Sequence, residues 1–234
     1  MNILIADDHA ILRSGLRQIF ADYTTFQEIG EAATGVQVLA KLEEGVWDVV
    51  LLDLTLPEMN GLEVLKEIKA RWPDVAVLVL SMHSEDQYAI RALKAGASGY
   101  LTKGCRSEEL LEALETVGRG EKYITLSVAQ RLAQSFTPNG EVAPHERLSD
   151  REFQIFCLLA SGLRNAEIGK RLSLSEKTIS THRNRILEKM QMKNFAELIY
   201  YAMEHGFVNK PLTSGNGLDG NGEYPGPPPG KPAD

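Results

Sequence analysis

Only two cysteines, Cys105 and Cys157, occur in the 234 residues, and they stand in no metal-ligand spacing. A disulfide framework and a structural zinc site are therefore not expected. No apolar run approaches the roughly 20 residues that cross a bilayer, and Met1 to Asp8 carries no basic stretch ahead of its apolar residues. These absences predict a cytoplasmic protein with no membrane partner. A glycine-rich turn is missing after the first apolar segment, where Asp7-Asp8-His9-Ala10 stands instead, so a dinucleotide pyrophosphate would find no cradle. Positive charge is short overall, with a net charge of −7, which disfavours a nucleic-acid binder if that charge is evenly spread.

It is not evenly spread. Residues 1–144 balance at −8, residues 145–211 at +3 and residues 212–234 at −2. An acidic front and a locally basic back predict two domains with different partners. A hydrophobic content of 43% over 234 residues is enough for two cores.

In the front part, short apolar segments alternate with stretches of helical periodicity. Strands are predicted at 2–6, 26–32, 49–52, 75–80 and 99–101, and helices at 11–20, 36–42, 62–68, 88–94 and 108–117. Val49-Val50-Leu51-Leu52 has no polar alternation, as expected of a strand buried on both faces. The alternation predicts an α/β doubly wound parallel sheet of five strands, flavodoxin-like, with helices on both faces.

The polar residues that follow the strands are then brought to one edge: Asp7 and Asp8 after the first, Asp53 after the third, Ser81 after the fourth and Lys103 after the fifth. Three carboxylates crowded together repel unless a cation joins them, and an all-oxygen shell with room for water suits Mg²⁺. A lysine beside them would offset the charge of a bound anion. A carboxylate so placed can act as a nucleophile toward phosphorus. A phosphoaspartate hydrolase would want a second aspartate two residues after the nucleophile, where this chain has Thr55.

Residues 1–118 resemble the receiver domain of two-component response regulators. The resemblance implies that Asp53 is the phosphoryl acceptor and that Asp7 and Asp8 hold Mg²⁺, with Asp8 the more direct ligand and Thr55 lending its backbone carbonyl. It further implies that Ser81 bonds the phosphoryl group, Lys103 pairs with it, and Tyr100 is the aromatic that turns inward when Ser81 is recruited. Gly104-Cys105 departs from the proline or acidic residue many relatives carry after the lysine. His83, two residues past Ser81, is read as a loop residue.

Residues 119–146 read as a linker containing a short amphipathic helix at 127–136 and a Pro- and Gly-bearing loop at 137–146. After it, Ser149-Asp150-Arg151-Glu152 forms a capping box that opens a helix with Phe153, Phe156, Leu158 and Leu159 as its apolar set. Further helices are predicted at 166–172, 176–190 and from Asn194, where the box is repeated, to Gly206. The second and third of these four have helix-turn-helix spacing. On the third, Ile179, Ile186, Leu187 and Met190 fall on a core face. Lys177, Ser180, Thr181, Asn184 and Arg185 fall largely elsewhere, as donors suited to phosphates and bases.

Residues 147–210 resemble a LuxR-type helix-turn-helix, through the stretches 148–152, 160–163, 165–168 and 175–182 and the closing Ala202 and Gly206. The resemblance implies base contacts near Ser180, Thr181 and Asn184, phosphate contacts from Lys177, Arg183, Arg185 and Lys189, and a dimer face as well as core at Leu198, Ile199, Tyr201 and Ala202. The tail, 211–234, is dominated by Gly and Pro, and its composition predicts disorder.

Together the halves resemble a response regulator of the NarL/FixJ type. The resemblance implies a non-enzymatic transcriptional regulator that takes a phosphoryl group from a sensor histidine kinase, binds double-stranded DNA and forms a homodimer when phosphorylated. A receiver whose helical domain docks protein, with little DNA affinity, is the alternative.

Overall fold

The computed structural model describes residues 1–82, 85–135 and 143–207. The first unit alternates strand and helix: β1 (Asn2–Ala6), α1 (Ala10–Ala21), β2 (Glu28–Ala32), α2 (Gly35–Glu44), β3 (Val49–Leu52), α3 (Gly61–Arg71), β4 (Ala76–Ser81), α4 (Glu85–Lys94), β5 (Gly99–Thr102) and α5 (Ser107–Gly118). All pairings are parallel, and the strand order is β2-β1-β3-β4-β5. The chain moves outward one way from β1 and then the other way from β3, so the crevice where the order reverses lies between them.

β3 is buried along its whole length, which is why it shows no polar alternation. Ile3, Ile5, Val49, Leu51 and Leu78 face the layer containing α1 and α5. Leu4, Val50, Leu52, Val77 and Val79 face α2, α3 and α4. β2 begins at Glu28 rather than Phe26, because the Phe26 ring packs on Phe20 with centroids 4.8 Å apart instead of extending the strand.

The segment after α5 closes the outer edge of the sheet. Tyr123 makes a parallel bridge to Gly99, and a Cβ on Gly99 would lie 2.8 Å from the Tyr123 carbonyl oxygen, so only glycine allows this approach. Helix α6 (Leu126–Ser135) follows and packs on α4, with Val128 buried. The predicted loop before the second unit contains a 3₁₀ turn at Pro144–Arg147. Phe136, loop residues 137–142, His83 and everything from 208 onward lie outside the described residues.

The second unit is helical: α7 (Asp150–Ala160), α8 (Asn165–Leu172), α9 (Glu176–Lys189) and α10 (Phe195–Glu204). The capping box on α7 is present in both directions. At α10 the expected box is only half formed: Asn194 accepts from the Glu197 N–H, but the Glu197 carboxylate turns back to the N–H of Lys193. Gly169 lets α8 lie against the turn before α9, since a Cβ there would meet the Leu174 carbonyl oxygen at 2.6 Å. Ile179 and Ile186 are fully buried and Met190 nearly so. No helix among the described residues is long and apolar enough to cross a membrane.

Candidate functional site and nucleic-acid interface

The backbone ladder delivers the polar residues to the reversal point. Asp7 donates its N–H to Ala32 O at 3.1 Å, Asp53 to Ala6 O at 2.8 Å and Lys103 to Ser81 O at 2.8 Å, so each residue continues the strand pairing by one step past its end. Side chains on neighbouring parallel strands in the same register fall side by side. Asp7 and Asp53 are each 2% exposed, whereas the Asp8 side chain is 39% exposed at the rim. The loop after Asp53 is held by the Thr55 N–H on Asp53 Oδ1 at 3.1 Å and by Gly61 N–H on Leu54 O at 3.2 Å. A Cβ on Gly61 would lie 2.5 Å from Asp53 O, so α3 starts directly against the backbone of the acidic residue.

Lys103 ties two acids together. Its Nζ lies 2.6 Å from Asp7 Oδ2 and 2.8 Å from Asp53 Oδ2, with the lysine side chain only 5% exposed. Burial raises the pKa of Asp53, Lys103 pulls it back, and the nearby Asp7 adds to the rise; the net shift is upward. For Lys103, burial alone would lower the pKa, but Asp53 and Asp7 outweigh it and the net shift is also upward. The ammonium group therefore stays charged at neutral pH. Ser81 is fully buried at the end of β4, and Tyr100 is 1% exposed on β5.

Asp7, Asp8, Asp53 and His9 bring one ligand atom each within 4.8 Å of one another. Three of those atoms are carboxylate oxygens, a donor set that fits a hard divalent cation. Opposite a single ammonium group, three carboxylates leave an excess of negative charge that such a cation would offset.

Sequence reasoning missed two residues here. His9 Nδ1 lies 3.1 Å from Asp7 Oδ1 and 2.7 Å from Asp8 Oδ1, and its N–H donates to Asp7 Oδ1 at 2.8 Å. It sits at the N-cap of α1 without a side-chain capping bond. Arg13 donates to the Asp7 carbonyl and pairs with Glu31 at 3.2 Å, which anchors the β1 end from the α1 side. Their i+2 and i+6 spacing from Asp7 was the available signal.

On the second unit, Ser175 caps α9 by accepting from the Thr178 N–H at 3.1 Å. Lys177, Ser180, Thr181, Asn184 and Arg185 are exposed on it. Ser180 Oγ accepts from Asn165 Nδ2 at 3.0 Å, which links the two helices of the helix-turn-helix. Arg183 is half-buried, with its guanidinium 5.6 Å from the centroid of the Phe195 ring. Lys189, expected among the phosphate contacts, is exposed and also pairs with Glu152 of α7 at 2.6 Å.

The expected dimer face needs correction at two positions. Leu198 and Ala202 are fully buried in the core of their own unit, and a side chain already covered on all sides has no surface left for a second copy. Ile199 and Tyr201 are partly buried, and the Tyr201 hydroxyl bonds His145 Nδ1 at 2.6 Å. The exposed large apolar residues of α10 are Phe195, Tyr200 and Met203.

Comparison with known proteins finds a family match in each half of the chain. The response regulator receiver domain matches residues 3–115, and the luxR family of bacterial regulatory proteins matches residues 146–202. The response regulator GacA of Pseudomonas aeruginosa is 37% identical over 89% of this chain and 98% of its own. The response regulator UvrY of Escherichia coli is 34% identical over 89% of this chain and 96% of its own. RcsB from Salmonella enterica serovar Typhimurium, solved bound to the promoter rprA in the presence of phosphomimetic BeF3⁻, superposes with a TM-score of 0.59 at 25% identity, covering 87% of this chain and 98% of that one. The acidic site at the sheet's reversal point and the helix-turn-helix behind it are thus those of the two-component response regulators of the NarL/FixJ type, the family to which this chain belongs.

Proposed function

We propose that Asp53 accepts a phosphoryl group from a sensor histidine kinase and that the transfer controls binding of a homodimer to double-stranded DNA. The observation that carries this reading is the Lys103 ammonium group set 2.8 Å from Asp53 and 2.6 Å from Asp7 at the mouth of the sheet. An Asp53 carboxylate oxygen attacks phosphorus as the bond to the donor nitrogen breaks, and Lys103, positively charged throughout, stabilises the charge on the transferred oxygens. Asp7, Asp8, Asp53 and the Thr55 backbone carbonyl would hold Mg²⁺, which neutralises the same oxygens when bound. Ser81 then bonds the phosphoryl group, and Tyr100 holds the inward position.

The chain takes one phosphoryl group as a signal rather than turning over a substrate. On α9, Ser180, Thr181 and Asn184 face bases, while Lys177, Arg183 and Arg185 face phosphates. RcsB, bound to a promoter in the presence of BeF3⁻, supports the pairing of the two activities.

The test combines intact-mass measurement after phosphorylation with selection of bound DNA from random sequence, for the wild type and Asp53→Asn. Incorporation into the wild type only, with a DNA affinity that rises on phosphorylation, is expected. Its salt slope should be about 0.9 log units per log unit of salt for each phosphate contacted. Labelled Asp53→Asn, or DNA binding that salt does not weaken, would overturn the reading.

A further inference from the structure

The receiver is joined to the DNA-binding domain by more than the linker. The Asp150 carboxylate, in the first turn of α7, pairs with Lys66 of α3 and, at 3.3 Å, with Arg91 of α4. Arg91 also donates to Leu148 O at 3.1 Å and to His145 O, and its guanidinium lies 4.0 Å from the centroid of the Phe153 ring. Asn60 Nδ2 donates to Asp150 O at 3.3 Å and to Gln154 Oε1 at 3.2 Å. Both amide side chains are 2% exposed, so each is shielded from water by the other's domain. Polar groups this buried are tolerated only where donors and acceptors meet, which distinguishes a specific seat from loose contact.

The apolar half of the seat leads back to the site. Tyr88 of α4 packs edge-on against Phe153, with ring centroids 5.0 Å apart. Tyr88 and Tyr100 lie in one buried cluster with Phe153 and Cys157. The Tyr88 hydroxyl sits beside the Cys157 thiol and near Tyr100. Tyr100 is thus one residue removed from the second domain. With α7 seated, Lys177, Ser180, Thr181, Asn184 and Arg185 remain exposed on α9. Seating covers α7, not the DNA-reading face.

We propose that the α3–α4 face of the receiver is a docking surface for α7 of its own DNA-binding domain, that buried Tyr100 supports the seat through Tyr88, and that the seated form is the one favoured by phosphorylation. The inference rests on the proposed role of Asp53. Turning Tyr100 outward would leave a void in the buried cluster that also holds Tyr88 and Phe153, and a void of side-chain size is costly in a packed core. The phosphoryl group that holds Tyr100 inward and the seat on α7 therefore stabilise each other. Coupling of this kind is reciprocal: whatever factor the seat contributes to anion binding, the anion returns to the seat.

The experiment uses the full chain with Mg²⁺ and BeF3⁻ as the phosphoryl mimic, in wild type, Arg91→Ala and Lys66→Ala. It measures BeF3⁻ affinity, DNA affinity with and without BeF3⁻, and hydrogen exchange of residues 153–160. In the wild type BeF3⁻ should increase protection of 153–160. Arg91→Ala should remove that increase and weaken both BeF3⁻ binding and BeF3⁻-stimulated DNA binding, each by about fivefold or more. Lys66→Ala, on an exposed pair, should move all three in the same direction by less, which separates loss of the seat from misfolding. The proposal is overturned if Arg91→Ala without BeF3⁻ binds DNA as tightly as the wild type does with it, since the contact would then be inhibitory. It is also overturned if BeF3⁻ leaves 153–160 unchanged or less protected. A wild type that binds no BeF3⁻ would instead overturn the phosphoryl-site reading, and this proposal with it.

Discussion

Lys103 is the residue on which the charge balance of the site turns. It is one buried cation against two buried carboxylates, and removing one partner of such a cluster leaves charge without compensation, at a cost of about 3–5 kcal/mol. Lys103→Gln should therefore lower the melting temperature sharply in chelator. A divalent cation at Asp7, Asp8 and Asp53 would supply the missing positive charge, so Mg²⁺ should raise the melting temperature of Lys103→Gln more than that of the wild type. An equal rise in both proteins would sink this account. The same balance explains why these acids could be found from sequence. They follow apolar strands directly, and parallel pairing sends every such residue to one edge. His9 and Arg13 could not be found this way, because they begin and line a helix and reach the site only through the bend that follows β1.

At the scale of the element, α7 departs most from its sequence pattern. Phe153, Phe156, Leu158 and Leu159 mark one apolar stripe, yet every residue from Glu152 to Ala160 is buried. The other helices of its domain cover most of the stripe, and the receiver covers Phe153 and the face carrying Gln154 and Cys157. An amphipathic pattern shows the core face of a helix but not a polar seat for another domain, since paired amides look like a solvated surface. Glu152 has a second task beyond its capping box. Burial would raise its pKa, but Lys189 and Ser149 outweigh burial and the net shift is downward. Ser149→Ala should cost about 1 kcal/mol, the usual worth of a cap. Glu152→Ala should cost more, roughly 2 kcal/mol, because charge-assisted bonds to both Ser149 and Lys189 are lost. Only Glu152→Ala should also speed hydrogen exchange in the last turn of α9. Equal effects on that turn would show that the Lys189 pair contributes nothing.

At the scale of the whole molecule, the two domains meet around a histidine that must stay neutral. The pKa of His145 is lowered from 6.5 to about 4, first by burial and then by the Arg91 guanidinium; Glu146 opposes the shift, while His205 and Lys94 add to it. Its Nδ1 bonds the Tyr201 hydroxyl, and its ring packs against Phe207 with centroids 4.7 Å apart. Above pH 6.5 the imidazole is neutral whether the molecule is folded or not, and it contributes no pH dependence. Between 6.5 and about 4 the unfolded chain takes up a proton that the native protein refuses, so stability falls as the pH falls, by an amount on the order of 2–3 kcal/mol, and levels off below about 4. The pKa of His182 is lowered in the same direction by burial, so His145 should account for part of the slope rather than all of it. Glu152, whose folded-state pKa is lowered, adds its own loss only as the pH falls below the ordinary carboxylate range. Asp53, whose folded-state pKa is raised, acts in the opposite sense because the native state takes up its proton first, and its contribution is common to the wild type and a His145 variant, so the interval from pH 6.5 to about 5 reports His145 through the difference between the two. Denaturant unfolding across that interval should show a clear decline in the wild type and a distinctly shallower one in His145→Gln, which keeps a polar partner for Tyr201 but cannot take the proton. Parallel declines in the two proteins would show that the domain contact tolerates a charged His145.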